Sequence, residues 1–184
     1  MISLKPSNHF RCIDYLIDHA IDPLSEDFIK QLHFILKQGT SDSRKDWFNV
    51  GECKRLPNEV GGMETTLPEA VQRDVQALLC DYNAFFLNTE RTEEERFDAI
   101  LDFHKRFESI HPFQDGNGRV GRLIMFKECL AHDIVPFIIT EKHRFYYYYR
   151  GLHEWPRIPG CLRDTCLTAQ DEFKSVLKYY RVEY

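Results

Sequence analysis

Four absences narrow what this 184-residue chain can do. None of its six cysteines (Cys12, Cys53, Cys80, Cys129, Cys161, Cys166) forms a C-x2-C pair, so neither a zinc ribbon nor a thioredoxin-type redox site is indicated. No apolar run is long enough to cross a bilayer. The stretch around 134–139 is short and broken by Pro136, and the N-terminal MISLKPSNHF has no apolar leader core. The expectation is therefore a cytoplasmic protein with no membrane partner. Positive charge is not in excess: 24 Lys and Arg stand against 29 Asp and Glu, giving a net charge of −5. That argues against a surface built to neutralise a run of nucleic-acid phosphates, so no nucleic-acid partner is expected, although one small phosphate-bearing molecule needs only local charge. No internal repeat is present, and the length fits a single domain over 1–184. What the chain does have is core material, with 43% hydrophobic and 14% aromatic residues.

That material recurs at helical spacing. Phe10, Ile13, Leu16 and Ile17 predict an amphipathic helix over 8–21. Phe28, Ile29, Leu32, Ile35 and Leu36 predict a second over 25–37, with Ser25 as N-cap and Glu26 and Asp27 in its first turn. Residues 38–67, punctuated by Gly39, Gly51, Pro57, Asn58, Gly61 and Gly62, hold no sustained period and read as a long loop with a short hairpin, the kind of segment that serves as a lid or binding element. Thr66 and Glu69, around Pro68, have the spacing of a capping box and open a third helix through Val71, Val75, Leu78, Leu79, Tyr82 and Phe85. Thr92 and Glu95 open a fourth, whose buried stripe Phe97, Ile100, Phe103, Phe107 and Ile110 stops just before His111. An apolar run over 120–130, a helix of about four turns over 140–154 and a last helix carrying Leu162, Cys166, Val176, Leu177 and Tyr180 complete an all-α reading.

The chemistry concentrates in residues 111–122, HPFQDGNGRVGR, between two predicted helices. Gly116 and Gly118 flank Asn117, so the chain can turn sharply with its N–H groups converging at a helix start, where backbone donors and the helix dipole bind anions. Arg119 and Arg122 lie three apart on the first turn and can grip further phosphate oxygens, which points to a polyphosphate. Asp115 is a hard oxygen ligand of the kind Mg²⁺ combines with phosphate oxygens and water. His111 is the natural general base near neutral pH. Singly, each has a plain reading: a turn, a dipole-complementing histidine, a solvated cap, a charged face. Their conjunction in twelve consecutive residues reads as phosphorus transfer to an alcohol. Phe113 reads as a core anchor of the loop. His104, seven residues before His111, has no third ligand at a zinc spacing and reads as a packed or surface histidine. The run 145–149 reads mostly as amphipathic helix surface, with one or two rings available to a base pocket.

The segment resembles the signature of the Fic family, H-x-F-x-[D/E]-G-N-G-R-x-x-R, at every specified position, and the helical pattern from about Asn8 to Tyr180 looks like that family's all-α core. The resemblance implies a Fic-type helical bundle with a short β-hairpin flap and a protein adenylyltransferase that moves AMP from ATP to a Ser, Thr or Tyr hydroxyl of a partner protein. In it, His111 is the base and Asp115 holds Mg²⁺. Gly116, Asn117 and Gly118 surround the α- and β-phosphates, and Arg119 and Arg122 hold the β- and γ-phosphates. The acid at Asp115 favours AMP transfer over the phosphotransferase branch, which carries lysine there. The segment 53–66 looks like the flap, with Asn58, Glu59, Val60, Gly61, Gly62, Met63 and Glu64 pairing backbone to backbone with the target. Tyr148, Tyr149 and Leu152 fall beside the expected nucleobase. The inhibitory pattern [S/T]-x-x-x-E-[G/N] is absent from the sequence, which leaves constitutive activity, a truncated chain or a trans-acting inhibitor as the expected modes of control. Other chemistries on such a scaffold are UMP, phosphocholine or phosphate transfer and removal of AMP. A binding module without catalysis is the third class.

Overall fold

A computed structural model describes residues 4–143 and 147–183. Its helices are α1 (Leu4–Asp18), α2 (Glu26–Lys37), α3 (Pro68–Phe85), α4 (Glu93–Ile110), α5 (Asn117–Ala131), the short α6 (Glu141–His143) and α7 (Tyr149–Glu154), and α8 (Gly160–Tyr179). A two-stranded hairpin, β1 (Glu59–Val60) and β2 (Met63–Glu64), interrupts the helical order. The fold is all-α with a short hairpin, as the sequence predicts. The middle of the 140–154 helix, including Phe145, lies outside the described residues.

α5 is the hub. It packs against α1, α2 and α4, and Val120, Leu123, Ile124, Met125 and Cys129 are buried along it. A helix covered on several sides shows little amphipathic contrast, which is why 120–130 reads as a plain apolar run. Helix starts follow their caps. Ser25 Oγ accepts from Phe28 N, and Thr92 and Glu95 form the reciprocal box, with Glu95 N donating to Thr92 Oγ1 at 3.2 Å and Thr92 N to Glu95 Oε2 at 2.9 Å.

Two expectations are corrected. The box expected from Thr66 and Glu69 does not form: Pro68 takes the first helical position, Leu67 becomes the cap without a side-chain bond, and Thr66 Oγ1 donates to Asp74 Oδ2 instead. In α1, Phe10 and Ile17 are exposed, and the inward stripe is Asn8, Cys12 and Leu16. The reason lies in α2, whose last carbonyls need donors: Asn8 Nδ2 donates to Leu36 O (3.2 Å) and Gln38 O (2.8 Å), and this contact sets the rotation of α1.

The hairpin pairs Glu59 with Glu64 and Val60 with Met63 across a two-residue turn in which Gly61 (φ 58°) and Gly62 (φ 78°) are both left-handed. That turn matches the twist of the strands and requires glycine-like freedom.

Candidate active site

The site is the junction where α4 ends and α5 begins. His111 caps α4 in the left-handed conformation (φ 51°, ψ 62°), with its N–H donating to Phe107 O at 2.9 Å. Its Nδ1 lies 3.3 Å from Glu108 O, so Nδ1 carries the proton and Nε2 keeps its lone pair. Burial lowers the pKa of His111, and the nearby Lys54 charge adds to this against the opposing Glu108 carbonyl, so the imidazole is neutral at pH 7.

Gly116 (φ 95°) turns the chain into α5 and accepts from Arg119 N and Val120 N through its carbonyl. The first N–H groups of α5, including those of Asn117 and Gly118, have no partner within the helix and form the positive end of its dipole. The Asn117 side chain turns the other way. Its Oδ1 accepts from Phe113 N (2.8 Å) and its Nδ2 donates to Phe113 O (2.7 Å), so it ties the loop to the helix and leaves its backbone N–H for an anion. Asn117 is 1% exposed. Asn117→Ala is expected to cost about 2–3 kcal/mol, the loss of two buried hydrogen bonds, read as a shift in the urea unfolding midpoint. A change below about 0.5 kcal/mol would remove the tether from the account.

Arg119 reaches back to Asp115 Oδ2 (3.2 Å), and the Arg122 guanidinium sits 6.0 Å from the centre of the Tyr148 ring. Both arginines, with His9, line a cavity of about 220 Å³ between α1 and α5. Burial pushes the Asp115 carboxyl up, but Lys37, Arg119 and the Gly116 N–H together outweigh it and hold it below its ordinary value.

Sequence reasoning missed the residues that hold this loop from a distance. Lys37, 2% exposed at the end of α2, donates to Asp42 Oδ2 (2.6 Å) and Asp115 Oδ2 (2.5 Å). His33 accepts from Gly51 N at Nδ1 (2.9 Å), so its Nε2 carries the proton and donates to Asp115 O (3.0 Å), while its ring stacks on Phe113 at 3.9 Å. Lys54 Nζ joins both stems of the hairpin, Asn58 Oδ1 (2.7 Å) and Thr65 Oγ1 (2.6 Å), to Ile110 O (3.2 Å) at the end of α4, and Lys54 N donates to Pro112 O. Asn58 Nδ2 adds a bond to Phe113 O. The flap and the base are thereby fastened to one helix end. No local pattern marks these lysines or His33, because the contacts that tie them to the 110–115 segment span 56 to 82 residues of sequence.

Between the hairpin, α4 and α7 opens a cavity of about 660 Å³, walled by the hairpin residues Val60, Met63 and Glu64, by Glu108 of α4, and by Tyr149 and Leu152 of α7. Tyr149 and Leu152 thus line this cavity, while Tyr148 is fully buried with its hydroxyl on His104 Nε2. His104 is itself a packed histidine, 0% exposed.

The bundle thus sets a left-handed histidine at the end of α4, the free N–H groups of a helix start at α5 and, fastened to the same helix end, a hairpin. The sequence profile of the Fic/DOC family matches residues 23–129, and the chain belongs to that family. It is 34% identical over 101 residues to the protein adenylyltransferase Fic of Culex quinquefasciatus, covering 53% of this chain and 19% of that protein. It is 28% identical over 141 residues to the protein adenylyltransferase Fic of Drosophila grimshawi, covering 72% and 28%. The chain therefore spans between about a fifth and just over a quarter of the length of these curated relatives. Among solved structures, a Fic-domain-containing signalling protein from Bacteroides thetaiotaomicron superposes with a TM-score of 0.72 at 25% identity, over 96% of this chain and 69% of that one. Fic-1 of C. elegans superposes with a TM-score of 0.68 at 20% identity, over 98% and 53%.

Proposed function

We propose that this chain transfers AMP from ATP to a hydroxyl side chain of a protein. The observation that carries this reading is the neutral, left-handed His111 at the end of α4, followed within six residues by the N-terminus of α5 with Arg119 and Arg122 in its first turns. His111 Nε2 takes the proton of the target hydroxyl as its oxygen attacks the α-phosphorus. A phosphodiester bond forms, the bond to the β-phosphate oxygen breaks, and pyrophosphate leaves. The backbone donors of the α5 start hold the α- and β-phosphates, and Arg119 and Arg122 hold the distal oxygens. The names of the curated relatives, protein adenylyltransferases, support the same chemistry and a protein substrate.

The donor set fits Mg²⁺. Asp115 is a single carboxylate beside the anion cradle, and this ion combines one or two carboxylates with phosphate oxygens and water. When bound, it would neutralise charge on the phosphates. The hairpin, fixed at its base by Lys54 and Asn58, offers backbone edges for pairing with the target segment. Control by a trans-acting inhibitor belongs to the same reading.

Labelled ATP tests it. Label at the α-phosphate is expected to move to protein in a lysate supplemented with the purified chain and Mg²⁺, and label at the γ-phosphate to leave as pyrophosphate. Transfer of the γ-label with none of the α-label would replace this reading with a kinase-like one.

A further inference from the structure

The residue that holds the hairpin also holds both peptide groups beside the base. Lys54 Nζ donates to Asn58 Oδ1 (2.7 Å) and Thr65 Oγ1 (2.6 Å), one on each stem of the hairpin, and to Ile110 O (3.2 Å), while Lys54 N donates to Pro112 O (2.8 Å). Ile110 and Pro112 are the neighbours of His111, whose left-handed backbone (φ 51°) is one that a residue other than glycine keeps only where its surroundings impose it. Leu56 and Asn58 continue the clasp. Leu56 N and O pair with the Gln114 side chain (3.2 and 3.3 Å), and Asn58 Nδ2 donates to Phe113 O (3.0 Å). Every second residue from 54 to 58 thus bonds to the loop that follows α4.

A lysine is a costly choice for this position. Lys54 is 4% exposed, its three acceptors are neutral oxygens, and burial lowers its pKa to about 8 against the opposing Cys53. What an ammonium offers, and no neutral side chain does, is three donors on one atom. Here they tie two hairpin stems and a helix end at a single point. We propose that Lys54 is a positioning residue, through which a target segment seated on the hairpin sets the His111 imidazole against the target hydroxyl. This rests on the roles given above to the hairpin and to His111.

Three readouts on the full chain test it, with Lys54→Met and Thr65→Val beside the native protein. Lys54→Met keeps the apolar stem and removes the Nζ donors, whereas Thr65→Val removes one acceptor on the hairpin and leaves the bonds to Ile110 and Pro112 in place. Without nucleotide, amide exchange followed by mass spectrometry is expected to quicken about ten-fold, the worth of one charge-assisted hydrogen bond, over both 58–66 and 109–114 in each variant. α8 is expected to keep its native protection. In Lys54→Met the His111 ring, followed by NMR, is expected to titrate closer to 6.5 than in the native chain, because the Lys54 charge helps to hold it lower. Transfer of the α-label to lysate protein is expected to fall about 10²-fold in Lys54→Met, the cost of misplacing a reacting group by about an ångström, with the calorimetric Kd for ATP and Mg²⁺ unchanged. Native exchange over 109–114 in Thr65→Val overturns the proposal, and so does a Lys54→Met protein that transfers label at the native rate. Thr65→Val alone decides the matter should Lys54→Met fail to fold. A native chain that moves no α-label, while both segments loosen together in the variants, would sink AMP transfer and leave the coupling standing.

Discussion

His111→Ala is expected to lower AMP transfer by about 10² to 10⁴-fold, the usual contribution of a positioned general base, while nucleotide affinity changes by less than about two-fold on the same grounds. The split follows from the geometry. The phosphates are held by α5 and its arginines, and the imidazole hangs from the end of α4 with no bond to that helix start. Initial rates with α-labelled ATP and calorimetric Kd values on the same protein check it. Transfer within ten-fold of native would remove His111 from the chemistry. The pH profile supplies a second reading of the same residue. Burial and the Lys54 charge favour the neutral imidazole, so the acid limb of kcat/KM is expected to have its midpoint below 6.5, with the rate rising as pH rises through it.

How far the sequence could be read depends on the range of the interaction that decides each feature. Ser25 and the Thr92 and Glu95 box act within a few residues of themselves, and their reading carries directly into structure, as does the position of residues 111–122 between a helix end and a helix start. α1 shows the limit. Its apolar periodicity offers Phe10 and Ile17 as inward residues, yet the carbonyls at the end of α2 draw in Asn8 and turn the helix about its axis. The Thr66 pattern fails for a local reason, because Pro68 claims the first helical position. Lys37, His33, Lys54 and Glu108 were illegible because their meaning comes from chain segments brought together only by folding. Lys37 and His33 read as ordinary members of α2, but one grips Asp115 and the other its carbonyl. Glu108 falls among charged residues of α4, and only folding packs its carboxyl with the His104 ring against Gly121 of α5.

The stability of the fold is expected to fall steeply in mild acid, and two histidines decide where. Burial holds His33 at a pKa of about 4 and His104 at about 3, against 6.5 in an unfolded chain. Below pH 6.5 the unfolded chain takes up two protons at these positions that the folded chain refuses, so their contribution is complete above 6.5 and is lost as pH falls toward 4; His9 and His111, whose pKa values burial also lowers, add to the loss in the same direction. Each proton is worth about 1.4 kcal/mol per pH unit. Glu108 works in the opposite direction. Its folded pKa of about 7 exceeds the 4.5 of a free glutamate, so between 7 and 4.5 it offsets one of the two protons. The expected slope is therefore at least about 1.4 kcal/mol per pH unit from about 6 to 4.5, and at least about twice that from 4.5 to 4. Asp42, held near 2 chiefly by its hydrogen bonds from Lys37 and Lys45, adds its loss only at still lower pH. Glu108→Gln removes the offset and is expected to steepen the slope in the upper window by about 1.4 kcal/mol per pH unit. Urea midpoints measured at half-unit steps from pH 7 to 4, for the native chain and this variant, read both slopes. A midpoint that stays flat from 6.5 to 4 in the native chain would mean that neither imidazole is held neutral by the core.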